Sequence, residues 1–297
     1  MPATQFICPD GKQVPILHCL QSCPQRQRCM FLPTLRAIAK SLHRDITEPT
    51  VTELIAGVRE TYLKKTTEYA VTPQSVLYAL HGQGVHAVHE QCTQGDMLSE
   101  IRLKDTLTSG KFDLYGKILD DTEGVLGDLK ITSSYKLMKA LGIYKVRVPT
   151  GEVYKTGLRK GQAKYRNELR YDGARHVLDW AMQLNYYRIL LEQEGFTVQK
   201  MYIQAMCRDN NLRMAAERGI DQSVYIIPIY KISDRWLLRY FHHKAALLHE
   251  AMKERKLPPI CSSRERWHDR KCLGYCAGRA NCPYARRLQR EKTGNVG

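Results

Sequence analysis

An α/β fold, with a mixed sheet flanked by helices, is predicted for this 297-residue chain from three features of its sequence. Segments of strand character follow one another at 99–104, 110–118 and 125–131, directly after a helical stretch that bears His86. A helical pattern over 173–194 then precedes two more strand-like segments, 201–207 and 224–229, and alternation of this kind sets helices against a sheet. Eight of the ten cysteines lie at the two ends of the chain, where apolar periodicity is weak. These features divide the chain into a four-cysteine module at 1–32, a helical lead-in and α/β core at 33–256, and a second four-cysteine module at 257–297.

Cys8, Cys19, Cys23 and Cys29 are spaced C-x10-C-x3-C-x5-C, and Cys261, Cys272, Cys276 and Cys282 repeat the same gaps. No apolar run approaches bilayer length and no signal-peptide pattern opens the chain, so a cytoplasmic protein with no membrane association is expected. In that reducing setting the quartets read as metal modules, with thiolates suited to zinc or an iron–sulfur cluster. Cys92 and Cys207 fall outside the pattern and read as core thiols.

After the first quartet, Leu35, Ile38, Ala39 and Leu42 share one face of a helix predicted over 33–44. Thr50 and Glu53 fit a capping box ahead of Leu54, Ile55, Val58 and Tyr62. Thr72-Pro73 opens a third helix that runs to Leu80, and Gly82-Gln83-Gly84 reads as a break before the helix carrying His86, His89 and Glu90. The strands follow. Asp113 closes Ser109-Gly110-Lys111-Phe112-Asp113, and turn residues at 120–124 lead into the buried strand Val125 to Ile131. A period of two puts Asp128 and Lys130 of that strand on one face. Two carboxylates beside a lysine suit a divalent metal that activates water against a phosphate, with the lysine offsetting the developing charge.

Between 133 and 170 lies a strongly basic tract, with Lys155, Arg159, Lys160, Lys164 and Arg166 among its cations and Tyr144, Tyr154 and Tyr165 interleaved. Cations attract phosphates and rings stack on unpaired bases, so the tract reads as a nucleic-acid groove or clamp. Gln183 and Tyr187 share a face of the next helix through their i, i+4 spacing. A last long helix runs from about 234 to 256, and His242, His243 and His249 on it read as surface residues.

Taken in order, the motifs G-x-x-x-H (Gly82 to His86), G-x-x-D (Gly110 to Asp113), D-x-K (Asp128 to Lys130) and Q-x-x-x-Y (Gln183 to Tyr187) resemble the RecB-like branch of the PD-(D/E)xK nucleases, which includes the CRISPR-associated Cas-four exonucleases. The resemblance covers about residues 80–190 and implies a restriction-endonuclease-like core. It also implies Mg or Mn held by His86, Asp113, Asp128 and the Leu129 carbonyl, and catalysis by Lys130 with Gln183 and Tyr187 at its side. Nucleases of this kind carry a 4Fe-4S cluster after the core, which favours iron–sulfur at Cys261, Cys272, Cys276 and Cys282 and leaves the N-terminal quartet open between a second cluster and zinc. The basic tract is longer than usual for that family and reads as an insertion.

Lys and Arg number 46 against 30 acidic residues, a net charge of +16 that calls for a polyanionic partner. The combined expectation is a metal-dependent deoxyribonuclease, an exonuclease on single-stranded ends, with a helicase or integrase as compatible partners. The alternative from another class is a non-catalytic DNA-binding adaptor with two zinc modules on a nuclease-like core.

Overall fold

The strand Val125–Thr132 is the axis of a five-stranded mixed sheet ordered Val224–Pro228, Lys200–Cys207, Val125–Thr132, Leu114–Gly116, Leu98–Ser99. The protein is a computed structural model whose described residues are 3–42, 48–120, 122–174 and 177–294. On one side Val125–Thr132 runs parallel to Lys200–Cys207, from the pair Val125 and Lys200 to the pair Thr132 and Cys207. On the other it is antiparallel to Leu114–Gly116, with Leu114 opposite Gly127. Parallel neighbours need a crossover, and here the crossover contains the helix Leu178–Gln193.

That helix starts later than the sequence pattern suggests. Gly173, at φ 72°, holds a left-handed backbone, and the helix begins at Leu178 with Val177 before it. Ten of its residues are buried, because it packs on the sheet and also against the helices Val51–Ala56 and Asp234–Glu254. A helix enclosed on several sides carries little amphipathic signal. Asn185 fastens it to the chain ahead of the helix Asp234–Glu254, donating to the Tyr230 carbonyl at 3.0 Å and accepting from the Ile232 N–H at 2.9 Å.

The predicted strands 99–104 and 110–118 are each interrupted. The first splits into Leu98–Ser99 and Arg102–Lys104, the second into Ser109–Lys111 and Leu114–Gly116. The interruptions lie side by side, joined by bonds from Glu100 N–H to the Asp113 carbonyl and from Phe112 N–H to the Ile101 carbonyl. The hairpin therefore bends as a unit, its outer part forming a separate two-stranded sheet.

Two other differences have local causes. Gly82 and Gly84 do not break the helix, which is continuous over Pro73–Cys92. Each glycine costs a helix about 1 kcal/mol relative to alanine, and twenty residues of continuous ladder absorb that. The pattern from 50 to 62 divides at Gly57, whose φ of 124° ends Val51–Ala56 and admits Val58–Thr66. The Thr50 capping box is present as expected. The first long helix is Leu32–Leu42, and the expected extension to Arg44 lies outside the described residues. Cys207 is buried as predicted, whereas Cys92, at the end of its helix, is exposed.

The N-terminal segment forms its own small core. Phe6, Val14, Ile16 and Cys19 pack with Leu35, Ile38 and Ala39, and Val76, Leu77 and Leu80 close it from the first half of the Pro73–Cys92 helix. At the other end, the C-terminal segment is tied to the helices at 51–66. Arg59 donates to the carbonyls of Pro258 and Pro259, Lys271 donates to that of Ala56, and Gly278 lies against Leu63.

The basic tract has regular structure. It folds as the helix Ser134–Ala140 followed by an antiparallel ribbon of Ile143–Val153 and Ala163–Tyr171. Among the ribbon residues only Ile143 is buried, so the ribbon projects from the core. Its base is closed by two glycines. Gly142, at φ 67°, lies against the Gly173 carbonyl, where a built Cβ would come within 1.9 Å of the oxygen. Gly142→Ala is therefore expected to lose at least about 1–2 kcal/mol from the left-handed backbone alone. The backbone clash adds to this, and denaturant titration beside the exposed-site control Gly151→Ala checks it.

Candidate active site

The bend in the hairpin opens a cleft of about 630 Å³ between the sheet and the Pro73–Cys92 helix. His86 and Glu90 from that helix line it, together with Glu100, Lys111 and Asp113 from the hairpin, Lys130 from the central strand, and Gln183 and Tyr187 from the crossover helix. Thr50 and Thr52, at the start of the capped helix, complete one side.

His86 Nδ1 is 2.8 Å from Glu100 Oε1 and 3.6 Å from Asp113 Oδ1. Ligand atoms of these three residues all lie within 4.8 Å of one another, a group that can hold a metal ion. One imidazole with two carboxylates is an oxygen-rich donor set of the kind that suits a divalent cation. Asp128 stands beside this group rather than in it. It is 1% exposed, and its Oδ2 forms an ion pair with Lys130 Nζ at 2.5 Å without an aligned hydrogen bond. Gln183 spans the pair, accepting from Lys130 Nζ at 3.3 Å and donating from Nε2 to Asp128 Oδ1 at 3.3 Å and Tyr187 Oη at 2.9 Å. The expected meeting of Asp128, Lys130, Gln183 and Tyr187 is thus present as a connected network.

Asp113 links the two halves of the site. Its Oδ2 accepts the Leu129 N–H at 2.7 Å while Oδ1 faces His86. Burial and the neighbouring Asp128 carboxylate push Asp113 up to about 8, against the pull of Lys130 and the Leu129 N–H. Such crowding of carboxylates is relieved by a cation. Burial also raises Glu100, but hydrogen bonds from Lys111 and His86 outweigh it and hold its carboxyl below the usual range. Burial and the adjacent carboxylates push the Tyr187 phenol far up, so it stays protonated.

Glu100 was not singled out from the sequence. Its backbone is left-handed, φ 55°, a strained state for a non-glycine residue. The signal that could have found it is its place across the predicted hairpin from Asp113. The glycine of G-x-x-D also gains a reason, since a Cβ on Gly110 would meet Tyr187 Cε1 at 2.5 Å. The tyrosine ring lies directly on that backbone.

Each cysteine quartet lines a pocket of its own. Cys8, Cys19, Cys23 and Cys29 surround about 430 Å³ with Asp10 and Arg28, and Cys261, Cys272, Cys276 and Cys282 surround about 20 Å³ with Glu60 and Lys271. Among the described residues no three sulfurs gather within 4.8 Å of one another. Burial pushes the Cys276 thiol up to about 11 and also raises Cys8, Cys19, Cys261 and Cys272. On the ribbon, Lys164 pairs with Glu152 at 2.9 Å and Arg166 with Glu168 at 2.7 Å, while Lys155, Arg159 and Lys160 stand on the exposed tip.

No protein-family model matches the chain, and no curated protein matches its sequence. A solved structure from Eubacterium rectale, provisionally named an exonuclease, is similar over 80% of this chain and 79% of its own, with 11% identity and a TM-score of 0.28. A score that low carries no argument about fold or activity. Among the described residues no helix is long and apolar enough to cross a membrane.

Two outcomes follow from the geometry. Because Asp113 titrates near 3.8 when unfolded and about 8 when folded, the folded state holds the extra proton between those values, and this group's contribution to stability falls as pH rises through them. Without divalent cations, Asp113→Asn should therefore melt higher than wild type near pH 9, with the difference shrinking as pH falls and vanishing only below the unfolded value of 3.8. Gly110→Ala should cost about 1–3 kcal/mol by overpacking the Tyr187 ring. Tyr187→Leu in the same chain should recover most of that loss in denaturant melts.

Proposed function

We propose that this protein is a metal-dependent deoxyribonuclease on a PD-(D/E)xK-type core, with His86, Glu100 and Asp113 holding Mg or Mn and Lys130 as the catalytic cation. The observation that carries the reading is the adjacency, in one cleft, of a His/Glu/Asp ligand group and a half-buried lysine bridged to a buried acid by Gln183. A binding protein has no use for buried carboxylates where phosphate must approach.

A divalent cation at the ligand group supplies Lewis acidity, acidifying water and neutralising charge that builds on the phosphate. The chain's own groups supply the rest. Lys130 presents an ammonium to the developing negative charge, held in place by Asp128 and Gln183. Asp128 and the Leu129 carbonyl follow Asp113 along the same strand pairing and are available as further ligands. Tyr187, protonated and wedged on Gly110, keeps Gln183 oriented and offers a hydroxyl toward the nucleic-acid backbone. Lys111 and Arg102 on the cleft wall attract the substrate's phosphates. The two cysteine modules serve as structural metal sites, iron–sulfur or zinc, holding the chain ends against the core.

The test is degradation of end-labelled DNA in Mg, Mn or EDTA. Lys130→Ala should reduce the rate about 10²- to 10³-fold with DNA binding retained. Glu100→Gln should raise the metal concentration for half-maximal rate about 10- to 100-fold. Intact protein that binds DNA and cuts none with either metal would overturn the enzyme in favour of a DNA-binding adaptor.

A further inference from the structure

The ribbon of Ile143–Val153 and Ala163–Tyr171 has a tip that the nuclease reading does not use. Leu158, at its end, is fully exposed, and Gly157 and Gly161 flank it at φ 78° and 83° with no heavy atom near either built Cβ. One exposed leucine carries no meaning by itself. Here it is presented on a tight turn at the end of an arm, next to Arg159 and Lys160 and close to Lys155. Eight Lys and Arg against two Glu lie within 143–171, so the arm is cationic along both strands.

The side chains behind the tip are already ordered. Glu168 holds Arg166 and Arg170 on one face, with contacts of 2.7 and 3.0 Å. On the other face the Arg147 guanidinium lies 4.3 Å from the centre of the Tyr165 ring. Tyr154 likewise has Arg159 and Lys164 at 5.9 Å, while Tyr144 and Tyr171 stay exposed. With its cations spread along both strands, the ribbon presents a surface that faces phosphates.

An eleven-residue strand extends about 35 Å, close to one turn of duplex DNA. A two-stranded ribbon fits a DNA groove, and aliphatic side chains at such tips wedge between base steps while flanking cations hold the phosphates. In the chain the arm lies between the strand bearing Lys130, from which the helix Ser134–Ala140 separates it, and the helix bearing Gln183. Ile143, Leu169 and Tyr171 seat the base against Gly219.

We infer that the ribbon is a duplex-DNA arm whose Leu158 is a wedge that unstacks base pairs at a DNA end, with Lys155, Arg159 and Lys160 gripping the phosphates around it. This rests on the nuclease reading only in what becomes of the freed strand, which the cleft would receive. The recognition itself is independent of catalysis.

The experiment uses full-length protein carrying Lys130→Ala in EDTA, with a duplex bearing 2-aminopurine near one end. Binding should raise the fluorescence several-fold as the base unstacks. Leu158→Ala should remove most of that rise while changing Kd less than about threefold, since the side chain is fully exposed and its loss does not disturb folding. Replacing Lys155, Arg159 and Lys160 together with alanine should weaken duplex binding about 10²-fold and reduce the slope of log K against log salt by about 2–3. Binding to single strands should change far less. Unchanged fluorescence in Leu158→Ala, or unchanged duplex affinity in the triple variant, overturns the arm, the second outcome pointing to an acidic protein as what the ribbon meets. Cleavage of single strands by wild type without duplex unstacking sinks the arm and leaves the nuclease. Unstacking without cleavage by wild type does the reverse.

Discussion

A single buried hydrogen bond, from the Leu129 N–H to Asp113 Oδ2 at 2.7 Å, underlies the arrangement of the cleft. The register that places Leu114 opposite Gly127 would, if continued, place Phe112 opposite Leu129. The hairpin has bent away by then, and the donor it would have satisfied is met by the Asp113 side chain instead. A buried N–H left without a partner is costly, so the bend and the carboxylate belong together. The same bend brings Glu100 across to His86, frees Lys130 to face open space, and lets Tyr187 close down on Gly110.

Charge in the cleft is balanced by alternation. Lys111 is paired with Glu100 and Lys130 with Asp128, while Asp113 has no ammonium of its own and accepts only a backbone donor. The burden of burial therefore falls on Asp113, whose carboxyl is pushed up to about 8. Ion pairs in such a place are weak sources of stability, because the desolvation they require offsets their attraction. Their value is in keeping the side chains aimed at a common space. The C-terminal segment supports the helix Val51–Ala56 from the end opposite Thr50 and Thr52, through its bonds to Ala56 and Arg59.

The motif residues were legible because their spacing is local. Asp128 and Lys130 share a face of any strand, and Gln183 and Tyr187 share a face of any helix. The capping box at Thr50 needs only residues three apart. Glu100 was not legible, since its direction depends on a left-handed residue and a bend imposed by a neighbouring strand. Nor was the continuity of the helix through Gly82 and Gly84, where local propensity argued for a break and twenty residues of ladder prevailed. The tract at 133–170 was read for its charge and not for its shape, because exposed strands in a projecting ribbon lack the in-and-out alternation that buried sheets impose.

By itself, then, the sequence determined that the chain would be an α/β protein of strong positive charge, with an acid–lysine strand, a Gln/Tyr helix and two cysteine-rich ends. Tertiary structure alone decided which acids meet. His86, Glu100 and Asp113 form one group and Asp128 joins Lys130 in another, while each cysteine quartet lines its own pocket. The physical reason is reach. Periodicity specifies which face of an element a side chain takes, but contacts between elements depend on where the hairpin bends and how deeply the crossover helix is buried, and both are set by packing across the whole core.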